Sequence, residues 1–471
     1  MLKSIDDYRA NIQNDADPIN KQRRLAVIEA MKHAYHNYEK YAMGRDELRP
    51  VSRSYKDWVS GGMAMTLVDS LDTLYIMGLK DEFNRALTYT KTKMPTFSTI
   101  RSTVSVFETV IRMVGGFLSA YDLSGERIFL EKAREMADIM AKAFDPSTNM
   151  FGKSVNLMTG AADRSGSVVL AEVGTLQLEF RRLSQLTGDP KYDDMVTRVM
   201  NELRSHGPAD GLYPVSYSPH GRRFYGMVTM GGLGDSFFEY LLKQWLMTGK
   251  TEQVYLDMYQ KSVHGIMTKM VEHFDHHKPP VSYIAEYNGR KVRHVQHLAC
   301  FAAGMLALGE ANQVSQLAPP AVRVDGKEVM KVAEQFATGC VESYRMTKTG
   351  IGPEGFHYTA DGTPQGSGYY ILRPETVESL FVLYRVTGDK KYQDMAWELF
   401  SNMEKSCKVA NGYSGLHNVN QPGSYNDVQE SFFLAETLKY LYLIFSPKEV
   451  IPLDEWVFNT EAHPLKITHK K

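Results

Sequence analysis

The segment Phe107-Glu-Thr-Val-Ile-Arg-Met-Val-Gly-Gly-Phe-Leu-Ser-Ala-Tyr121 decides the fold. Ile111 and Leu118 recur at helical spacing on one side, and Val110 and Phe117 fill the opposite side. A helix that is apolar nearly all round is a buried helix. The segment therefore predicts an inner helix of an all-α protein.

The same pattern recurs along the chain, as an apolar run, a glycine-containing turn and a more polar helical run. The predicted turns contain Gly78, Gly125, Gly188, Gly249, Gly309 and Gly388. A seventh apolar run, 434–445, ends at Ser446-Pro447. Glycine suits the left-handed position that closes a helix, and proline stops a helix. Seven helical hairpins predict an (α/α)7 barrel with buried inner and amphipathic outer helices; a spread-out solenoid is the alternative.

Segments rich in Gly, Pro, Ser and Tyr interrupt the helices and predict long loops or short β-hairpins at one rim of the barrel. They are 149–164, 207–226, 352–370 and 412–428. Loops of this length in a compact domain are often functional. No linker separates the apolar runs, so we expect an N-terminal lead-in at 1–25, one domain at 26–465 and a tail at 466–471.

Composition excludes several functional classes. The chain has 471 residues, a formal net charge of −1 and no basic block, which argues against nucleic acid and membrane-surface binding. It has no apolar run of about 18 residues that would span a membrane and no apolar signal core at its start. We therefore expect either an intracellular protein or a soluble part of a longer chain. The 27 tyrosines leave room for an aromatic-lined cleft such as a sugar site.

Acidic residues recur where inner helices start, at Glu108, Asp235 and Glu375. Inner helices of a ring of hairpins run the same way, so these carboxylates should converge on one mouth in the favourable field of the helix dipoles. Each also has a simple structural interpretation. Asp235 would cap its helix, Glu375 suits a first turn, and Glu108 would pair with Arg112 at i, i+4. The functional alternative for Glu108 is an acid in an apolar wall, which favours the protonated form.

Other candidates are less specific. Glu436 interrupts an apolar run, and Phe432 one turn earlier is either a core residue or a platform under a sugar ring. His297 is expected to be a buried, hydrogen-bonded histidine. Asp69 and Asp72, spaced i, i+3, are expected to be helix-surface or capping groups. Weaker acidic candidates are Glu172, Glu354 and Glu378.

The stretch Trp456-Val-Phe-Asn-Thr-Glu-Ala-His-Pro-Leu465 is poor material for a helix or a strand. If Trp456 and Phe458 enter a core, Thr460 offers its hydroxyl and carbonyl oxygens to one point, as a calcium ion requires. A buried C-terminal tail is the alternative. The sequence contains no phosphate loop, nucleophile elbow or His-Glu-x-x-His motif. Converging carboxylates and an oxygen-ligated cation therefore favour glycosidic acid–base chemistry.

Three motifs carry a resemblance to a known family. They are Leu-Arg-Pro-Glu375-Thr-Val-Glu-Ser-Leu, Gln-Glu-Ser-Phe-Phe-Leu-Ala-Glu436-Thr-Leu-Lys-Tyr and Phe-Asn-Thr460-Glu-Ala-His-Pro. With 33–53, they resemble the class I α-1,2-mannosidases, family 47 of the glycoside hydrolases, over nearly the whole chain. The resemblance implies an (α/α)7 barrel and an inverting, calcium-dependent exo-α-1,2-mannosidase that trims high-mannose N-glycans.

The resemblance also assigns residue roles. Glu375 matches the base, Glu108 matches the acid, acting directly or through a water, and Asp235 is an alternative acid that the sequence cannot separate from Glu108. Thr460 matches the calcium ligand. Carboxylates that would hold the water ligands of the metal are Glu378, Glu436 and Glu461. Substrate-pocket positions are Arg112, His297, Glu354, Arg373, Phe432 and Glu436.

Cys300 and Cys340 match the disulfide pair of the family, which leaves Cys407 free and implies folding in the secretory pathway. Leu233 stands where the strict endoplasmic-reticulum members have arginine, so the resemblance favours a Golgi-type or secreted enzyme with broad trimming. We expect a monomer that binds high-mannose glycans and does not itself contact a membrane. The alternatives are an inactive or partner-dependent oligomannose-binding relative and an intracellular helical scaffold.

Overall fold

The computed structural model describes residues 3–13 and 17–468. Seven inner helices form a closed ring in which each packs against the next and the last packs against the first. Two of them include a π-helical turn. The inner helices are Met65–Ile76, Val106–Thr109 continuing through Val110–Val114 into Gly115–Ser124, Gln177–Thr187, Asp235–Met247, Phe301–Ala311, Glu375–Thr387, and Phe433–Thr437 continuing into Leu438–Ile444. The ring confirms the predicted barrel and excludes the solenoid.

Seven outer helices surround this ring. They are Pro18–Ala42, Lys80–Thr92, Arg127–Met140, Lys191–Ser205, Gln253–Gly265, Gly326–Arg345 and Lys391–Ser406. The two layers differ in sequence as predicted. Every residue of the inner helix Met65–Ile76 is buried. The outer helix Arg127–Met140 buries Phe129, Ala133, Met136 and Met140 at helical spacing and exposes its other face.

The first outer helix belongs to the last hairpin of the ring. Pro18–Ala42 packs against the inner helix Leu438–Ile444, so the ends of the ring meet where the chain begins and ends. Asp17 caps this helix, and Pro18 occupies its first turn. The predicted boundary between the lead-in and the barrel, at 25/26, lies inside this helix. The proposed division of the chain otherwise stays a prediction.

Five of the six glycine turns are confirmed. Gly78, Gly125, Gly188, Gly249 and Gly388 all have positive φ angles between 64° and 75°. The prediction for Gly309 is wrong, since the inner helix continues through it to Ala311. A Cβ at Gly309 would lie 2.8 Å from the hydroxyl of Tyr259, so this glycine makes room for an outer-helix side chain rather than for a turn.

Short antiparallel strands decorate the barrel. The sheets are Glu47–Arg49 with Ser54–Lys56; Thr103–Ser105, Ser154–Asn156 and Ala162–Asp163; Phe144–Asp145 with Met150–Phe151; Val168–Val169, Ser216–Ser218 and Arg223–Tyr225; Val271–Phe274 with Val281–Ile284; Glu286–Tyr287 with Lys291–Val292; His294–Gln296, Gly355–Tyr358 and Pro364–Gly366; Lys408–Val409 with Gly412–Tyr413; and Trp456–Phe458 with Pro464–Lys466. Strands occur in all four segments predicted as loops or hairpins. The expectation that 456–465 forms no strand is wrong, because its two ends pair with each other.

Short helical segments complete the fold. They are Ile5–Gln13, Phe97–Thr99, Ala141–Ala143, Leu170–Val173, Ile266–Met270, His297–Cys300, Val314–Leu317 and Pro320–Val322. The predicted disulfide is present between Cys300 and Cys340, where it ties the start of an inner helix to the outer helix Gly326–Arg345. Cys407 is a buried free thiol. No helix in the described part of the chain is both long enough and apolar enough to cross a bilayer.

Candidate active site

A cavity of about 300 Å³ opens where the inner helices begin. Eight carboxylates and two guanidinium groups line it, an excess of negative charge in a largely buried space. The carboxylates are those of Glu108, Glu172, Asp235, Glu239, Glu375, Glu378, Glu436 and Glu461, and the guanidinium groups are those of Arg112 and Arg373. The convergence predicted for the helix starts is therefore present.

Glu375 is held as an ionised carboxylate. It is the first residue of its helix, and its Oε2 lies 2.8 Å from Nδ1 of His297. Nη1 of Arg373 lies 3.7 Å from its Oε1. Burial alone would raise the pKa of Glu375, but the hydrogen bond from His297 and the charge of Arg373 outweigh it and lower this pKa.

His297 acts from behind the cavity wall. It is fully buried, as predicted, and its Nε2 lies 2.6 Å from the hydroxyl of Tyr344. It does not line the cavity, so the structure places it against Glu375 rather than in the predicted substrate pocket. The two hydrogen bonds fix the ring and orient one oxygen of Glu375.

Asp235 has the opposite electrostatic character. It opens the helix Asp235–Met247 after Gly234, which occupies the capping position expected for Asp235 itself. Its Oδ1 accepts a hydrogen bond from the backbone N–H of Ser236. Burial raises the pKa of Asp235 to about 7, and the neighbouring charges of Glu239 and Glu375 act in the same direction. Glu375 and Asp235 are thus a base-like and an acid-like carboxyl in one cavity.

Glu108 belongs to an ion-pair network. Its Oε2 accepts a hydrogen bond of 2.9 Å from Nε of Arg112, and Arg112 also pairs with Glu461. The side chain of Glu108 is 34% exposed. The predicted i, i+4 pair is confirmed. Glu108 is ion-paired and partly exposed, unlike the protonated buried acid of the functional alternative.

An aromatic ring packs near both arginines. Phe432 lines the cavity, and its ring centroid is 5.5 Å from the guanidinium of Arg112 and 5.8 Å from that of Arg373. Arg373 also forms a two-pronged ion pair with Glu354 at 3.0 Å. Glu354 does not line the cavity, so it holds Arg373 in place rather than facing the interior.

The turn between the strands Trp456–Phe458 and Pro464–Lys466 plugs the centre of the ring. Its residues hydrogen-bond to five of the seven inner helices. These contacts are Asn459 with Ile111 and Glu179, Thr460 with Tyr240, Ala462 with Lys439, and His463 with Asp72. The plug presents Thr460 and Glu461 to the cavity.

Asp69 and Asp72, on the first inner helix, hold this plug through ion pairs. Both side chains are fully buried, so the expectation of surface or capping roles is wrong. Asp72 lies 2.8 Å from Nζ of Lys439 and 2.7 Å from Nδ1 of His463, and Asp69 lies 3.4 Å from Nε2 of His463. The i, i+3 spacing could not show that Lys439 and His463, which lie far along the chain, would meet these two carboxylates.

The surroundings of Thr460 suit a hard cation. Among the described residues, none hydrogen-bonds to its hydroxyl or carbonyl oxygen, although its N–H donates to Tyr240. Burial raises the pKa values of Glu436, Glu378 and Glu461, and neighbouring carboxylates add to the shift. A cation would offset this crowding of negative charge.

The donor set limits how such a cation could be held. Within 3–13 and 17–468, no group of three or more His, Cys, Asp or Glu side chains is arranged to ligate a metal directly. The residues therefore fit an ion that takes both oxygens of Thr460 and otherwise keeps water ligands. Glu378, Glu436 and Glu461 would then contact those waters, as the resemblance implies.

Several wall residues were absent from the predicted site. Glu239 is the most informative of them, because it follows Asp235 by four residues and so shares its helix face. That spacing was visible in the sequence. Phe301 and Phe107 gave no such signal, since apolar side chains near helix starts do not differ from core residues in a single sequence.

Comparisons with known proteins agree with this geometry. The sequence profile described as glycosyl hydrolase family 47 matches residues 30–467. The chain is 46% identical to mannosyl-oligosaccharide 1,2-alpha-mannosidase MNS1 of Arabidopsis thaliana, over 96% of this chain and 80% of that protein. It is 43% identical to mannosyl-oligosaccharide 1,2-alpha-mannosidase IB of Mus musculus, over 95% and 70%. The solved alpha-1,2-mannosidase from Trichoderma reesei superposes with a TM-score of 0.87 at 31% identity, covering 95% of this chain and 99% of that one.

Proposed function

The chain belongs to glycosyl hydrolase family 47, and from this we propose that it removes terminal α-1,2-linked mannose from high-mannose N-glycans. The observation that carries the proposal is the pairing of Glu375 and Asp235 in one cavity. The pKa of Glu375 is lowered and that of Asp235 is raised to about 7. Near neutral pH Glu375 is thus ionised, whereas Asp235 still carries its proton in about half of the molecules. Glycoside hydrolysis needs one carboxyl group in each state.

We propose an inverting reaction. Glu375 would accept a proton from a water molecule as the water oxygen bonds to the anomeric carbon of the terminal mannose. The glycosidic bond would break as its oxygen receives a proton from Asp235. His297 and Arg373 would keep Glu375 ionised, and Phe432 would support the sugar. This assigns the acid to Asp235, since Glu108 is committed to Arg112.

We propose Ca²⁺ as the cation, held by Thr460 with waters anchored by Glu378, Glu436 and Glu461. Bound there, the ion would supply a positive charge for the hydroxyl groups of the terminal mannose. The disulfide Cys300–Cys340 supports a site of action in the secretory pathway. We further propose that the protein acts as a monomer on glycoproteins or free oligosaccharides, in the Golgi lumen or after secretion, without contacting a membrane itself.

A calcium titration tests the proposed function. We expect the purified protein to release free mannose from a nine-mannose N-glycan, to stop when calcium is chelated, and to recover when calcium is restored. We expect Thr460→Val, which keeps the carbonyl but loses the hydroxyl, to need a higher calcium concentration for the same rate. Calcium binding is read separately as a rise in melting temperature with added ion. A protein that binds the glycan but never releases mannose would instead be an oligomannose-binding relative.

The pH profile identifies the acid. We expect kcat/KM to fall as pH rises through about 7, because Asp235 must carry its proton. The residual activity of Asp235→Asn should lack this alkaline limb, whereas Glu108→Gln should retain it. The measurement is mannose release between pH 5 and pH 9 for the three proteins. The opposite pattern would assign the acid to Glu108.

A further inference from the structure

A three-stranded sheet continues the cavity wall out to the protein surface. Val168–Val169 pairs with Ser216–Ser218, which pairs with Arg223–Tyr225. Val169 lies opposite Ser216, and Ser216 lies opposite Tyr225. Directly opposite residues of antiparallel strands point to the same face of a sheet. These three residues therefore form one row on one face, which we call the outer platform.

The other face of this sheet is buried. Val168, Tyr217 and Phe224 form the adjacent row, and the rings of Tyr217 and Phe224 pack at 4.7 Å. Tyr217 is fully buried. Because side chains alternate between faces along a strand, burial of this row fixes the outer platform on the opposite face.

The outer platform begins at the cavity mouth. Val169 lines the cavity. So does Leu233, which is 55% exposed and therefore marks the opening to solvent. The backbone N–H of Ala171 donates a hydrogen bond of 3.0 Å to the carbonyl oxygen of Leu233, which places the Val169 segment beside that opening. Tyr225 lies two strand spacings farther out, about 10 Å from Val169.

In the part of the chain that the structure describes, no packing contact accounts for the presence of an aromatic ring at Tyr225. It is 46% exposed, and among the described residues its hydroxyl has no hydrogen-bond partner and its ring no aromatic neighbour. An exo-acting enzyme holds only the terminal sugar in its cavity, so the rest of a branched glycan must leave through the mouth. A half-exposed tyrosine next to a serine hydroxyl offers the apolar face and polar edge that a pyranose ring requires.

We propose that the outer platform is a subsite for mannose residues beyond the one removed, with Tyr225 stacking on a sugar ring and Ser216 hydrogen-bonding to it. The inference rests on the proposed function and adds to it a device for preferring large oligomannose glycans over short ones. A disaccharide bound by its terminal mannose would not reach Tyr225.

Two substrates test the platform. We expect Tyr225→Ala to lower kcat/KM on a nine-mannose glycan by about three- to ten-fold, mainly through KM, because the ring contact is lost. Cleavage of an α-1,2-linked mannose disaccharide should be unchanged. Tyr225→Phe should behave as the wild type on both substrates. Met346→Ala, which removes a 51%-exposed side chain at the end of an outer helix, is the control for loss of exposed apolar surface.

A binding measurement tests the outer platform independently of catalysis. In a Glu375→Gln background the glycan is consumed too slowly to affect a binding measurement, and we expect Tyr225→Ala to raise its Kd by the same factor in calorimetry. An equal Kd with and without Tyr225 would overturn the platform, even if the wild type releases mannose. A wild type that releases none would refute the proposed function, and the same Kd comparison would still decide the platform. A loss confined to intact glycoprotein would assign this surface to the protein part of the substrate and overturn the glycan subsite.

Discussion

Glu375→Gln is expected to lower kcat for mannose release by roughly 10³-fold, within the range for loss of a positioned general base. The amide cannot take the proton that Glu375 would accept from the attacking water. It retains an oxygen that can hydrogen-bond to His297, 2.8 Å away in the wild type, so the wall of the cavity should persist. Substrate binding should therefore survive, and the loss should appear in kcat rather than in KM.

The control is Glu354→Gln, the same Glu-to-Gln change at a residue that does not line the cavity. Glu354→Gln weakens the ion pair with Arg373 but changes no carboxylate in the wall. We expect a loss of about ten-fold or less, shared between kcat and KM. Mannose release in single-turnover and steady-state assays, with circular dichroism of each variant, makes the comparison. If Glu375→Gln keeps a tenth or more of the wild-type kcat, Glu375 is not the base.

The barrel could be predicted from the sequence because its signals are local. An apolar run, a left-handed glycine and an amphipathic run can each be identified within about 20 residues, as at Gly125 and Gly388. The failure at Gly309 has the same origin. Whether a glycine ends a helix or admits a neighbouring ring depends on Tyr259, which lies 50 residues away in sequence.

The candidate site could be predicted only in part, for a related reason. Glu108, Asp235 and Glu375 could be placed at one mouth of the barrel because each lies at the start of an inner helix. In a ring of helical hairpins all inner helices start at the same end. The different chemistry of these three carboxylates could not be predicted, because it comes from partners on other helices. His297 and Arg373 lower the pKa of Glu375, whereas burial raises that of Asp235. The resemblance named residues, but only the fold showed that His297 is buried behind the cavity wall and that Glu354 lines a separate surface groove.

The ion pairs of Asp72 with Lys439 and His463, which hold the plug, also depend on partners that are distant in sequence. Asp72, Lys439 and His463 come from both ends of the chain and are completely buried together. Breaking a buried ion pair by removing one partner is strongly destabilising, because the other charge stays in a medium of low polarity. The plug carries Thr460, so these ion pairs link the stability of the fold to the position of the candidate cation ligand.

Asp72→Asn is expected to lower the free energy of unfolding by about 3–5 kcal/mol. The asparagine nearly matches the shape of the aspartate, but it leaves Lys439 without its ion-pair partner and His463 with Asp69 alone. The measurement is the urea midpoint and slope at pH 6. Asp394→Asn removes an exposed partner of Arg23 and should cost less than about 0.5 kcal/mol, so it controls for loss of an ion pair as such.

The pH dependence of the stability lost in Asp72→Asn tests whether ion pairing causes the loss. Lys439 and His463 lower the pKa of Asp72 to about 2 against the effect of burial, so its contribution is present above about pH 4 and is lost as pH falls through 2. Asp72 and Asp69 raise the pKa of His463 to about 9, again against burial. Its contribution is complete below pH 6.5 and is lost as pH rises through 9. The cost of Asp72→Asn should therefore shrink from pH 6 to pH 9.5. A cost that stays constant over this range would show that packing, and not the charge of His463, sets the stability of the plug.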